Sequence, residues 1–264
     1  MPTIECRSEF VTITETPETR ASSEQLSILF TKYHLARRLS TGRDVLEAAC
    51  GAGVGLGCIA SVARSTTAGD IDAGNCRAAR ATYQGRPGIR IERFDGLSLP
   101  FAAGSFDTVL LLEALYYLPS AGAFLREAAR VLRQAGTLLL SSVNCEWTGF
   151  NPCPFSVRYY SAAELDSLLR DYGFRLGLWA AFPDAACGPS ARLLRAVRHA
   201  AVRLHLIPRA MKGKQLLKRI VFGPLVPIRH ELQDGAAPLG RLIPLSEIQD
   251  RSNFKMLYAI ATKE

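Results

Sequence analysis

The chain has 264 residues, of which 48% are hydrophobic and 21% charged, and its formal net charge is +8. These values are typical of one large globular domain or one domain with an insertion, and they exclude collagen-like, coiled-coil and disordered classes. Without a basic start before an apolar run, or an apolar run long enough to span a bilayer, we expect a cytoplasmic protein. Seven cysteines without a C-x-x-C pair predict reduced thiols rather than a zinc or disulfide framework.

Helical and strand patterns alternate along the first two thirds of the chain. Residues 1–22 are polar and predict an irregular arm, and apolar spacing from Ser23 to Leu39 predicts a first helix. Strands are then predicted near residues 43–48, 66–70, 89–94, 106–112 and 136–143, and helices near 55–64, 73–84 and 120–133. This alternation predicts parallel βαβ units.

The last predicted elements enclose a long insertion. Ser161 caps a helix that runs to Tyr172, residues 174–181 form a sixth strand, and residues 254–262 form a seventh. The segment between the last two strands is too long for an ordinary loop. We therefore expect the chain to divide into a core, residues 23–182 with 254–264, and a helical cap, residues 183–253.

A glycine loop after the first strand of the core indicates a nucleotide site. The strand ends on Glu47 and leads into Gly51, Gly53 and Gly55, after which a helix pattern begins. The glycines do not fit the G-x-G-x-x-G fingerprint of dinucleotide-binding proteins, which disfavours a nicotinamide oxidoreductase. Glu47 would repel a phosphate group but could hold a cationic amino group.

These residues resemble the first motif of the class I S-adenosylmethionine-dependent methyltransferases, in particular the small-molecule, type 11-like domain. The match is Glu47 followed by Gly51-Ala52-Gly53, and residues 68–72, 94–101 and 105–115 are similar to the later motifs in the same order. The resemblance covers about residues 24–182 and the last strand. It implies an α/β fold with a doubly wound, Rossmann-like, seven-stranded and mostly parallel sheet, S-adenosylmethionine as cofactor, and no metal.

The resemblance also implies roles for individual residues. Asp70, with Asp72 as second choice, would accept hydrogen bonds from the ribose hydroxyls, and Asp95 would bind the adenine amino group. The full set expected to bind the cofactor is Tyr33, Glu47, Ala49, Gly51, Gly53, Asp70, Ile71, Asp95, Gly96 and Glu113. Singly, such carboxylates are more often solvated or capping residues, so the interpretation depends on their joint order.

Methyl transfer needs a general base only if the acceptor arrives protonated and weakly acidic. The candidates for that role are His34, Tyr116, Tyr117, Tyr159, Tyr160 and His230, and the catalytic set that we predict is His34, Glu113, Tyr117 and His230. Tyr117 and Tyr160 are also predicted to contact the acceptor. A lone histidine or tyrosine more often has only a packing role.

The basic charge is concentrated in the insertion. Between Asp184 and Glu231 there are ten basic residues and no acidic one, and the pattern predicts an amphipathic helix with Arg195, Arg198 and Arg203 on its basic face. That face could be solvated, could bind an anionic substrate, or could contact a membrane through residues 190–222. Nucleic acid is disfavoured, because Asn151-Pro152-Cys153-Pro154-Phe155 resembles a base-methylating motif but follows the wrong strand.

The sequence thus predicts a methyltransferase that acts on a small, anionic molecule such as a phosphorylated, nucleotide-linked or carboxylated metabolite. The alternatives are a lipid- or glycan-linked acceptor at the inner membrane surface and a non-catalytic binding protein with the same fold. The acceptor atom and the oligomeric state stay open.

Overall fold

The computed structural model describes residues 19–184 and 225–264. The helices of this part are α1 (Ser23–Ser40), α2 (Leu56–Ala60), α3 (Ala73–Thr82), α4 (Ala121–Val131) and α5 (Ala162–Asp171). The strands are β1 (Arg20–Ala21), β2 (Asp44–Ala48), β3 (Ser65–Asp70), β4 (Ile89–Arg93), β5 (Phe106–Leu112), β6 (Leu132–Val143), β7 (Phe174–Pro183), β8 (Val226–Pro227), β9 (Ile243–Pro244) and β10 (Phe254–Lys263). The predicted order of strands and helices is present.

A single large sheet organises the domain, with the strand order β4-β3-β2-β5-β6-β10-β7-β9. The first five strands of that order are parallel, and β10 lies antiparallel between β6 and β7. The expectation of seven strands is corrected to eight within the described residues, because the two-residue strand β9 pairs with β7 at the edge. So short an edge strand carries too weak a sequence signal to be predicted.

Local sequence accounts for where the helices begin. The Ser22 hydroxyl accepts a hydrogen bond from the backbone N–H of Gln25, and the Gln25 side chain accepts one from the backbone N–H of Ser22, which forms a capping box at the start of α1. Ser161 and Glu164 form the same arrangement at α5. These caps satisfy backbone donors that a helix leaves without partners in its first turn.

The helices cover both faces of the sheet. Alternate residues along a strand point to opposite faces, and the buried residues divide accordingly. One cluster joins Val109 and Leu111 to α4 and α5, and the other joins Leu110 and Leu112 to α1. The domain is therefore a three-layer α/β arrangement.

The strand order changes direction between β2 and β5, whose connections run to opposite sides of the sheet. In open α/β sheets, ligands bind in the crevice beyond the carboxyl ends of the strands at such a switch point. The glycine loop follows β2, and Glu113 follows β5. The fold therefore brings these two predicted site segments to the same crevice.

Part of the predicted cap packs on the domain. Strand β8 pairs with β1, and Gly240 donates its backbone N–H to Thr31 of α1 at 2.8 Å. The predicted basic helix with Arg195, Arg198 and Arg203 lies outside the described residues. So does the whole of residues 190–222, the segment considered for membrane contact. Among the helices that the structure describes, none has the length and apolarity to cross a membrane.

Candidate active site

The glycine loop turns sharply through backbone conformations that favour glycine. Gly51 and Gly53 have φ values of 56° and 77°, and Ala49, which immediately follows β2, has a φ of 55°. The hydroxyl of Tyr83 donates to the carbonyl of Gly53 at 2.9 Å and accepts the backbone N–H of Gly57 at 3.1 Å. The Tyr83 hydroxyl thus connects the loop to the start of α2.

Glu47 lies buried at the start of this loop. Its Oε1 accepts a hydrogen bond of 2.7 Å from the hydroxyl of Tyr33, whereas its Oε2 is buried and has no hydrogen-bond partner among the described residues. Burial raises the pKa of Glu47 to about 7, aided by the charge of Asp70 and opposed by the Tyr33 hydrogen bond and the charge of Lys32. A buried oxygen of this kind calls for a donor that the protein itself does not supply.

Asp70, at the end of β3, supports the loop with both carboxylate oxygens. Oδ2 accepts the backbone N–H of Gly51 at 2.9 Å, and Oδ1 accepts that of Asp72 at 2.8 Å. Burial raises the pKa of Asp70, and these hydrogen bonds oppose the rise. Asp72 is the N-cap of α3, with Oδ1 accepting from Asn75, so its side chain has a structural role already.

Two further predicted cofactor residues lie at neighbouring strand ends. Ile71 is 41% exposed, which offers an apolar surface directly after Asp70. Asp95 accepts the backbone N–H of Leu97 through Oδ1 at 2.9 Å, in a turn closed by the hydrogen bond from Ser98 N to Asp95 O. A Cβ added at Gly96 would touch only Phe124, at 3.6 Å. These residues follow the carboxyl ends of β3 and β4.

Glu113 follows β5 in the left-handed region, with a φ of 54°. Its Oε1 lies 2.8 Å from Nζ of Lys32, a residue of α1 that is only 4% exposed. A non-glycine residue with this φ is strained, and such strain concentrates at functional sites. The end of β5 thus resembles the end of β2, where Ala49 has a similar conformation.

An aromatic row lies beyond β5, formed by Tyr116, Tyr117, Tyr159 and Phe150. The rings of Tyr116 and Tyr159 stack with centroids 4.6 Å apart, while Tyr117 and Phe150 meet the ends of this pair edge-on at 4.5 and 4.7 Å. Burial raises the pKa of the Tyr117 phenol, as does the neighbouring thiol of Cys153. The Tyr117 phenol, like that of an ordinary tyrosine, is protonated at neutral pH and can donate a hydrogen bond.

The other predicted catalytic and acceptor residues are spread more widely. His34 is half-buried on α1 and its ring faces Phe30 at 6.3 Å, while His230 is exposed. The guanidinium of Arg158 lies over the ring of Tyr160 at 4.8 Å. Of the six candidates for the general base, the structure brings Tyr116, Tyr117 and Tyr159 together and leaves His230 on the surface.

A strap formed by residues 228–234 lies against the glycine loop. Its Leu232 donates a backbone N–H to the carbonyl of Val54 at 2.9 Å, and its Glu231 pairs with Arg86 at 2.6 Å. A Cβ at Gly57 would lie 1.7 Å from Glu231 Oε1. The last part of the predicted cap therefore holds the outer side of the loop.

Lys32 and the strap were not identified from the sequence. A lysine in an amphipathic helix usually lies on the solvated face, but Lys32 stands three residues after Leu29 and four before Ala36, both fully buried. That spacing is a signal for a buried cation. The strap offers no comparable signal, because its contacts with the glycine loop join distant parts of the chain.

The donors and acceptors of the crevice fit S-adenosylmethionine. The free, buried Oε2 of Glu47 suits the ammonium group of the methionine portion, and a carboxylate there excludes a phosphate. Asp70 and Asp95 offer carboxylates for hydroxyl and amino donors. A sequence profile described as a methyltransferase domain matches residues 46–140, which include all three acids.

Residues 46–140 thus match a methyltransferase domain, and this chain is similar to S-adenosylmethionine-dependent methyltransferases. Over 140 residues this domain is 39% identical to a probable S-adenosylmethionine-dependent methyltransferase of Mycobacterium tuberculosis, a match to 51% of this chain and 49% of the relative. The chain thus covers about half of that relative's length. A phthiotriol/phenolphthiotriol dimycocerosates methyltransferase of Mycobacterium leprae is 34% identical over 100 residues, 37% of each chain.

Solved structures share the fold of the methyltransferase domain at lower identity. The [4+2]-cyclase SpnF has a TM-score of 0.59 and 18% identity, with coverage of 96% of this chain and 90% of the cyclase. Phosphoethanolamine N-methyltransferase 2 of Haemonchus contortus, solved with S-adenosyl-L-methionine, has a TM-score of 0.57 and 15% identity, with coverage of 97% and 55%. At these identities the likeness establishes the fold.

Proposed function

We propose that the protein transfers the methyl group of S-adenosylmethionine to a small-molecule acceptor. The observation that supports this most strongly is the buried, partnerless Oε2 of Glu47 at the entrance of the glycine loop. The cofactor, when bound, supplies an electrophilic methyl group. The protein's task is then to hold the two reactants in line and to exclude water.

The residues of the crevice divide this task between them. Glu47 would hold the ammonium group of the cofactor, Asp70 the ribose hydroxyls and Asp95 the adenine amino group. Ile71 would lie against the base. Tyr117, which follows β5, would face the acceptor side and could donate a hydrogen bond there through its phenol.

The described residues favour an acceptor with an apolar body. The aromatic row is half-buried at Tyr117, Tyr159 and Phe150, and the loop that follows it exposes Phe155 and Val157. Large exposed apolar groups near a crevice are typical of binding surfaces. The name of the Mycobacterium leprae relative, which refers to phthiotriol dimycocerosates, agrees with this acceptor class.

The anionic acceptor predicted from the sequence stays a second candidate. Its support is the run of ten basic residues between Asp184 and Glu231. Replacement of Arg195, Arg198 and Arg203 by glutamine should raise the KM for a phosphorylated acceptor and leave cofactor affinity unchanged. Equal kinetics of this triple variant would remove the basic face from the acceptor site.

A matched pair of acceptors separates the two candidates. The purified protein would be incubated with radiolabelled S-adenosylmethionine and either a long-chain 1,2-diol or a sugar phosphate, with Glu47→Gln as the cofactor-site control. Formation of labelled diol by the unmodified protein but not by Glu47→Gln supports the apolar acceptor. Formation of labelled sugar phosphate under the same comparison supports the anionic one. Cofactor binding without transfer to either probe would favour a non-catalytic role.

A further inference from the structure

Two carboxylates flank the switch point of the sheet, and successive residues of α1 hold them. Tyr33 donates to Oε1 of Glu47 at 2.7 Å, and Lys32 lies 2.8 Å from Oε1 of Glu113. In each carboxylate the second oxygen, Oε2, is not used in this contact. Glu47 Oε2 is buried without a partner, and within the described residues Glu113 Oε2 accepts no hydrogen bond.

We propose that Lys32 is a positioning residue of the cofactor site: it holds Glu113 by Oε1 so that Oε2 of Glu113 and Oε2 of Glu47 together receive the ammonium group of the cofactor. This inference rests on the proposed function and adds to it a second carboxylate and a buried cation. An ammonium group has three N–H donors, so two carboxylate oxygens can be bonded at once.

The charges in the crevice require such a cation. Two carboxylates in a poorly solvated site repel each other, and one bound ammonium group would leave a net negative charge. Lys32 supplies the second positive charge, and its side chain is only 5% exposed while that of Glu113 is 20% exposed.

The position of Lys32 allows it to act on both acids. It is bonded to Glu113, and its charge lowers the pKa of Glu47, against the effects of burial and of the nearby Asp70. Tyr33 is the only other titratable group of α1 that the structure describes in contact with Glu47. An ammonium group fixed between the two strand ends therefore favours the ionised form of Glu47 while it holds Glu113 in place.

Two ligands that differ in the amino-acid portion test the proposal, and no acceptor is needed. Calorimetric titration with S-adenosylhomocysteine measures the whole site, and 5′-methylthioadenosine lacks the amino-acid portion. Lys32→Met and Glu113→Gln should each weaken binding of S-adenosylhomocysteine by about tenfold and leave that of methylthioadenosine unchanged. Lys32→Arg keeps the charge and should bind within about threefold of the unmodified protein.

The pH profile distinguishes positioning from a merely structural role. Loss of the Lys32 charge should shift the rise of S-adenosylhomocysteine affinity with pH to higher pH, and Lys32→Arg should restore it. Unchanged affinity and pH profile in Lys32→Met and Glu113→Gln would overturn the inference, as would an equal loss for both ligands. If the unmodified protein binds neither ligand, the proposed function itself fails.

Discussion

The hydroxyl of Tyr33 donates a hydrogen bond of 2.7 Å to Oε1 of Glu47, which connects α1 to the entrance of the glycine loop. The bond is buried, and it opposes the effect of burial on the pKa of Glu47. It also orients the carboxylate so that Oε2 remains for a ligand. The first helix thus contributes a side chain to the proposed cofactor site.

Tyr33→Phe should weaken S-adenosylhomocysteine binding about tenfold at neutral pH, because a hydrogen bond to a buried charged group contributes about 1.5–3 kcal/mol. The measurement is calorimetric titration, with Tyr172→Phe at the end of α5 as the matched control. Equal affinity of the two variants would show that the Tyr33 hydroxyl does not orient Glu47 for the cofactor.

Cofactor affinity should depend on pH through Glu47. Its pKa is raised from 4.5 to about 7, and the ammonium group binds the ionised form, so affinity should rise from pH 5.5 to pH 7.5 with release of a proton. Titration in buffers of different ionisation enthalpy measures that proton. Glu47→Gln should abolish the dependence, and a dependence that persists in this variant would assign it to another group.

The same carboxyl should affect stability in the opposite sense. The folded protein retains a proton that the unfolded chain loses above pH 4.5, so the contribution of Glu47 to the free energy of unfolding should decline as pH rises from about 4.5 to about 7. Chemical denaturation across this range measures it. Glu47→Gln should flatten the decline, and an identical slope in both proteins would contradict the assignment.

Asp70→Ala and Asp95→Ala should both weaken cofactor binding but differ in stability. Asp70 accepts two buried backbone N–H groups, so its loss should lower the free energy of unfolding by about 1–3 kcal/mol for each donor left unpaired. Asp95 is half-buried and accepts one. Thermal melts and titrations separate the two effects, with Asp166→Ala on α5 as the control. Unchanged affinity in Asp95→Ala would remove it from the site.

Gly55→Ala should destabilise the contact between α1 and the loop. An added Cβ would lie 2.1 Å from Cε1 of Tyr33, so the ring must move and the bond to Glu47 is lost. We expect a Tm lower by several degrees and weaker S-adenosylhomocysteine binding. Gly96→Ala, where the nearest atom is 3.6 Å away, is the control for stability. Equal Tm values would mean that the ring adapts freely.

Much of the fold could be predicted because its signals are local. Periodicity and capping residues placed α1, β5 and α5 within a few residues of their observed bounds. The glycine loop after Glu47 identified the cofactor class. The side chain of Asp72, the second choice for binding the ribose hydroxyls, caps the N-terminus of α3.

The remaining features arise from tertiary packing. The pair of Lys32 and Glu113 joins residues 81 positions apart, and the strap reaches the glycine loop from beyond the insertion. Neither follows from the residues around it, because each depends on how α1 and residues 228–234 dock on the sheet. The short strand β9 is likewise defined by its pairing with β7.

Calorimetric titration of the purified protein with S-adenosylmethionine and S-adenosylhomocysteine, with NAD as a control, tests the site most directly. Micromolar binding of the first two and none of NAD is expected, since Glu47 offers a carboxylate to an ammonium group and repels a phosphate. Absence of binding by the methyl donor and its product, or binding of NAD instead, would contradict the assignment of Glu47, Asp70 and Asp95 to a methyltransferase cofactor site.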